Sequence, residues 1–230
     1  MTTTTLLRYS DLPDLIARMT GDEKHAPAAH STLDVLWVLY DRVLRIDPAD
    51  PDHPDRDRFL LSKGHGPMAY YAVLAAKGFI DVPELDSWAR FNSRLGMHPD
   101  RVLVPGVEIA SGSLGHGLAL GVGTALGLRA QRRTQPRVVV LLGDAELDEG
   151  SNHEAIAVAA RLDLDQITAV VVDNASATHG WPGGIADRFA REGWQAATVN
   201  GHDHNALYAA FTAPHLGRPL AVIATVKPKE

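Results

Sequence analysis

Residues 138–174 read VVVLLGDAELDEGSNHEAIAVAARLDLDQITAVVVDN, and this stretch decides the fold. Val138 to Leu142 is an apolar, largely β-branched run closed by Gly143, the pattern of a strand buried on both faces of a parallel sheet. Ile167 to Val172 is a second run of the same kind. Between them Ile156, Ala159, Ala160 and Leu164 recur at helical spacing, so the unit reads strand, crossover helix, strand. That topology brings the two polar ends, Asp144 and Asn174, to one carboxyl edge, where open α/β sheets bind ligands.

A carboxylate and an amide oxygen are hard ligands suited to Mg²⁺ or Ca²⁺, which complete their shells with water and phosphate oxygens. Gly143 permits close backbone approach, and the N–H groups after it can meet a phosphate. Gly-Asp after a strand is also the sequence of a plain turn. A second strand ending Asp173-Asn174 at this separation turns the reading toward a metal–diphosphate site.

Two further glycine-rich elements precede this unit. Ser62-Lys63-Gly64-His65-Gly66 follows a short apolar run, and its glycines let backbone and imidazole approach a ligand, so His65 can donate to a diphosphate oxygen. Ser111-Gly112-Ser113-Leu114-Gly115-His116-Gly117 opens an Ala/Leu/Gly-rich helix running to Leu128. Its glycines permit packing against a flat ligand, and its free N–H groups suit an anion. Alone, a Gly-rich loop is a weak signal.

Together these elements resemble the transketolase family. Gly143-Asp144-Ala145-Glu146 with Asn174 looks like the thiamine diphosphate signature, and the flanks GDAELDEGSNHEAIAVAARLDL look specifically like transketolases. The resemblance covers nearly the whole chain and matches the amino-terminal, diphosphate-binding half of a transketolase. It implies an α/β thiamine diphosphate-binding fold, a mostly parallel central sheet flanked by helices on both faces. Residues 1–230 would form a single diphosphate-binding domain, with 1–46 an N-terminal helical segment packed on it.

The implied cofactors are thiamine diphosphate and Mg²⁺ (or Ca²⁺). Asp144, Asn174 and the backbone carbonyl of Ser176 would hold the metal. Gly143, Asp144, Ala145, Glu146 and His65 would surround the diphosphate, and Gly112, Ser113, Leu114 and His116 the thiamine rings. His116 stands where transketolases often have Gln. With Asp34 and Tyr40 held in register, His25 falls on the histidine of the family's Ser-Gly-His-Pro-Gly element, with His30 the second candidate. His98, in His98-Pro99, resembles a histidine that faces the sugar. Ala145 replaces a family Gly; at negative φ it is tolerated, and at positive φ it costs about 1 kcal/mol. The segment after Asn174, ASATHGWPGG, is shorter than its family counterpart.

The pyrimidine-binding half of a transketolase is missing from these residues. The resemblance therefore implies one subunit of a split enzyme, an α2β2 heterotetramer whose partner chain brings that domain and its catalytic glutamate. The implied activity is ketol transfer from a ketose (phosphate) to an aldehyde. Alternatives are another thiamine-dependent carboligase or decarboxylase in a specialised pathway, and a degenerate, non-catalytic partner subunit.

Composition bounds the rest. The 230 residues are 45% apolar, enough for one sizeable core. A net charge of −6 without a basic run argues against nucleic acid. No cysteine is present, which excludes disulfides and thiol catalysis. The start, MTTTTLLRYSDLPDLIARM, is not a signal peptide, and no apolar stretch would span a bilayer, so a cytoplasmic location is expected. Helices are expected from Ser10-Asp11 as cap and again from about Ser31. Gly201-His202-Asp203 is expected to turn and cap the last helix.

Overall fold

Alternation along 138–142 sends Val139 and Leu141 to one side of a sheet and Val138, Val140 and Leu142 to the other, and all five are buried. A strand wet on neither side needs cover on both, and the computed structural model, which describes residues 7–20 and 26–227, shows it. Five strands, β1 (Arg58–Leu61), β2 (Val138–Gly143), β3 (Ile167–Asp173), β4 (Gln195–Asn200) and β5 (Leu220–Thr225), form one sheet ordered β1-β2-β3-β5-β4. Every pairing is parallel. One face packs under α1 (Leu12–Arg18), α2 (Ala26–Val38), α3 (Pro67–Ala76) and α7 (His204–Phe211). The other packs under α4 (His116–Ala130), α5 (Gly150–Arg161) and α6 (Gly184–Arg191).

Local rules explain most boundaries. All ten residues of α3 are buried, as suits a helix apolar on every side. The Asp203 carboxylate accepts the N–H groups of Asn205 (2.9 Å) and Ala206 (3.0 Å), so it caps α7 as expected. Two expectations differ. Asp11 does not cap α1; its carboxylate accepts the Arg8 N–H at 2.7 Å and closes a preceding 3-10 turn, Tyr9–Asp11. The second helix starts at Ala26, before Ser31, because Pro27 is tolerated in a first turn whose N–H groups have no helical partner. Leu164 is buried but lies beyond the end of α5.

The N-terminal helices are tied down by Asp34 on α2. Its carboxylate is hydrogen-bonded to Tyr9 Oη (2.6 Å), His202 Nδ1 (2.8 Å) and His204 Nε2 (2.6 Å), which joins three chain segments.

At the amino rim of the sheet a buried charge does the same work. The Asp57 side chain is wholly inaccessible and accepts the Arg45 and Arg137 backbone N–H groups (2.9 and 2.8 Å) and both guanidinium groups. Burial alone would raise its pKa; the bonds from Arg137 and Arg45 together outweigh that and hold it below the ordinary carboxylate value. Asp57→Ala would strand two backbone N–H groups and two cations, and is expected to cost about 3 kcal/mol in urea unfolding. Because the folded pKa is depressed, the stabilisation is full above the unfolded value and is lost as pH falls through the folded one. Wild type should therefore lose stability at the acid end while Asp57→Asn, already weakened, shows a flatter limb there.

Candidate functional site

The register that pairs Gly143 with Val172 delivers Asp144 and Asn174 side by side at the carboxyl edge, and the Asp144 N–H donates to Val172 O (3.2 Å). Both side chains are buried. The Asp144 carboxylate accepts the Ser176 N–H (2.6 Å), the Ser176 hydroxyl (2.7 Å) and the Ala177 N–H (3.0 Å). Ser176 thus meets Asp144 through its donors. Asn174 Oδ1 is buried without a hydrogen-bond partner from the protein, an acceptor that needs a cation or a donor. Between them Ala175 is held at φ 56°, a left-handed conformation costing a non-glycine residue about 1 kcal/mol.

A hard divalent cation fits these oxygens. Among the described residues no three His, Cys, Asp or Glu side chains gather as a metal centre. A cation here would rest on the Asp144 carboxylate, the Asn174 amide oxygen and oxygens from backbone or ligand. Ala145 opens the 3-10 turn Ala145–Asp148 and is not among the residues with positive φ, so its side chain adds no backbone strain.

Glu146 on that turn is 2% exposed, and its carboxylate joins three loops. Oε1 accepts the Ser62 hydroxyl, in a very short contact, and the Gly115 N–H (3.0 Å); Oε2 accepts the Gly143 N–H (3.2 Å). Ser62 Oγ in turn accepts the Gly117 N–H (3.0 Å). A Cβ on Gly117 would lie 2.2 Å from that of Ser62, so only glycine allows α4 to start so close to the end of β1. Burial pushes the Glu146 pKa up, against the pull of Ser62, the Gly115 and Gly143 N–H groups and Lys63. Its oxygens are spent on protein groups, so Glu146 fixes the loops of Ser62, Gly115 and Gly143 relative to one another.

The remaining candidates fall on the same edge to different degrees. Gly112, at φ 112°, lies against the ring of His98, where a Cβ would come within 2.8 Å, so these two elements meet. Gly64 approaches the Leu114 side chain, which places the loop of His65 beside that of Ser113 and Leu114. His65, His98, Ser113, Leu114 and His116 are all exposed. His116 Nδ1 is within hydrogen-bonding reach of Leu114 O (3.2 Å). His30 is exposed on α2, one turn into the helix, and His25 lies outside the described residues. On α4, Gly121 packs against Val140, whereas Gly123 has open space around it and Leu120 and Leu126 are exposed.

Sequence reasoning missed two residues that shape this edge. Ser62 was visible only as part of a motif, and its partner sits 84 positions away. Asp148 pins the loop after Asn174, its Oδ2 accepting the Thr178 hydroxyl and the His179 N–H, both at 3.3 Å. Its one sequence signal is its place four residues after Asp144, on the same turn.

Comparison with known proteins agrees with the fold. The family model described as "Transketolase, thiamine diphosphate binding domain" matches residues 14–226. A protein of Rhodococcoides fascians named "Ferredoxin fas2" is 60% identical over 218 residues, 95% of this chain and 72% of that protein. One of the subunits of an apulose-4-phosphate transketolase of Phocaeicola vulgatus is 35% identical over 81% of this chain and 70% of its own length. The structure of a transketolase from Leishmania mexicana superposes with a TM-score of 0.78 at 25% identity, covering 96% of this chain and 37% of that one. The chain thus spans from about a third to about three quarters of the length of these proteins.

Proposed function

Since this chain belongs to the transketolase family and carries its thiamine diphosphate-binding domain, we propose that it is the amino-terminal subunit of a split, two-chain transketolase. In this reading it transfers a two-carbon ketol unit from a ketose phosphate to an aldehyde, in the cytoplasm, as part of an α2β2 heterotetramer. The observation that carries the reading is the pair Asp144 and Asn174 at one sheet edge, with the Asn174 amide oxygen buried and unpartnered, next to a turn whose Glu146 carboxylate ties Ser62, Gly115 and Gly143 together. The relatives that are split subunits support a separate partner chain bearing the pyrimidine-binding domain.

When bound, thiamine diphosphate supplies the carbanion that breaks and makes the carbon–carbon bond beside a carbonyl. Asp144 and Asn174 would hold Mg²⁺ on the diphosphate, with the Ser176 carbonyl as third protein ligand. His65 and the backbone N–H groups after Gly143 would donate to diphosphate oxygens, and the 112–116 loop would flank the rings. His98, exposed against Gly112, would exchange a proton with a substrate hydroxyl, and His25 or His30 would do the same.

The non-catalytic alternative drew on Ala145, and the backbone there is one that alanine adopts freely. The name ferredoxin has no counterpart in these 230 residues, which without cysteine offer no thiolate to an iron–sulfur cluster. The test is calorimetric titration of thiamine diphosphate, with and without Mg²⁺, into this chain together with its pyrimidine-domain partner, followed by ketol transfer assays. Metal-dependent binding and turnover are expected; no binding in the assembled pair would end the enzyme reading.

A further inference from the structure

Beside the Asp144–Asn174 edge, the loop after Asn174 lines a cavity of about 550 Å³, within the range of small-molecule sites. It lies off the 3-10 turn that leads from Asp144 to Asp148, about 8 Å further along. Its walls include Asp148, His153, His179, Trp181, Arg188 and Arg191. Trp181 stacks on His153 with centroids 5.2 Å apart, and the Arg188 guanidinium lies 5.6 Å from the indole centre.

Two hydrogen-bonding positions in these walls are buried and unmet by the protein. Asp148 uses Oδ2 to hold the loop, leaving Oδ1 as an open acceptor; Arg188 keeps Nε–H as an open donor. Leaving such groups unpaired costs about 1–3 kcal/mol each. Arg188 and Arg191 form i,i+4 ion pairs with Glu192 (3.4 Å) and Asp187 (2.7 Å), pairs of a kind that is weak, and Arg188 Nη2 also lies 3.3 Å from His153 Nδ1. The two guanidinium groups remain available to a multivalent anion. The site therefore asks for an acceptor-rich anionic group at Arg188, a donor at Asp148, and apolar C–H surface against the indole.

We infer that this pocket is a second binding site, for a phosphorylated sugar: phosphate toward Arg188 and Arg191, a hydroxyl toward Asp148, and the carbon skeleton along Trp181. It belongs to this chain alone and stands or falls independently of ketol transfer. The chemistry also admits a hydroxy-carboxylate, and the probes separate the two.

The chain is titrated calorimetrically with ribose 5-phosphate, inorganic phosphate, ribose and citrate, each with and without saturating thiamine diphosphate and Mg²⁺. Emission from Trp181, half-exposed where Trp37, Trp88 and Trp194 are buried, reports the location. Ribose 5-phosphate is expected to bind about tenfold more tightly than phosphate, ribose or citrate, equally with and without cofactor, since charge-assisted and hydroxyl contacts add. Arg188→Gln is expected to weaken it about tenfold, and Trp181→Phe to remove the emission change. Should Arg188→Gln fail to fold, Arg191→Gln, on an exposed side chain, is expected to weaken it about threefold. Competition by the cofactor, an unchanged Kd in the folded arginine variant, or equal binding of plain phosphate or citrate would each overturn the assignment.

Discussion

Asp144→Ala is expected to weaken Mg²⁺-dependent thiamine diphosphate binding by on the order of 100-fold or more, since even outer-shell groups cost 10–100-fold. Two losses act together. The substitution removes the buried carboxylate beside Asn174 at the β2–β3 edge, and with it the charge that offsets cation desolvation. It also frees Ser176 and Ala177, whose three donors converge on that carboxylate, so the strained turn at Ala175 loses its anchor. Asp144→Asn separates the two: the amide keeps an acceptor for the loop but not the charge. Binding in Asp144→Asn should fall nearly as far as in Asp144→Ala, while its unfolding midpoint stays closer to wild type. Equal, metal-dependent binding in all three proteins would remove the metal from this edge.

Glu146→Ala is expected to be the most destabilising single change at the site, at about 3–6 kcal/mol, in a domain whose whole stability is about 5–15 kcal/mol. Three buried donors, the Ser62 hydroxyl and the N–H groups of Gly115 and Gly143, would lose their acceptor at once. Glu146→Gln is a sharper probe, because it turns one acceptor into an NH₂ facing donors. Urea unfolding should rank wild type above Gln. Wild type has a further signature: with the folded pKa raised by burial, the native state binds the proton more tightly, so stability falls as pH rises through that window. The glutamine variant should lack that slope. A Glu146→Gln protein as stable as wild type, with the same pH profile, would show that the three loops do not depend on this carboxylate.

How much of this was legible in the sequence follows the range of each interaction. The β2–α5–β3 unit and the Asp203 cap rest on neighbours within a few residues, and periodicity or turn chemistry exposes them. α2 starts at Ala26 and not near Ser31 because Pro27 stands in a first turn, where its missing N–H has no helical partner to lose. The insertion of β5 between β3 and β4 has no local signature. Glu146 was placed with the cofactor ligands because its motif touches them; that its oxygens are occupied by Ser62 and Gly115 depends on contacts 84 and 31 residues away. The pocket beside Trp181 is lined by residues of three separate stretches, 148–153, 179–183 and 188–191, and no local spacing shows that they meet.

The strand order also sets a timetable for assembly. Among the described residues β1 pairs only with β2, eighty positions later at Arg58 and Val138, and β4 pairs only with β5, made after it. During synthesis the first and fourth strands therefore emerge with no neighbour to join, and wait. Such long closures fold slowly and leave apolar edges open to wrong partners meanwhile. A chain halted before Leu220 would present β3 as an unpaired edge and hold β4 adrift, so this protein should gain more from chaperones than from any single stabilising substitution.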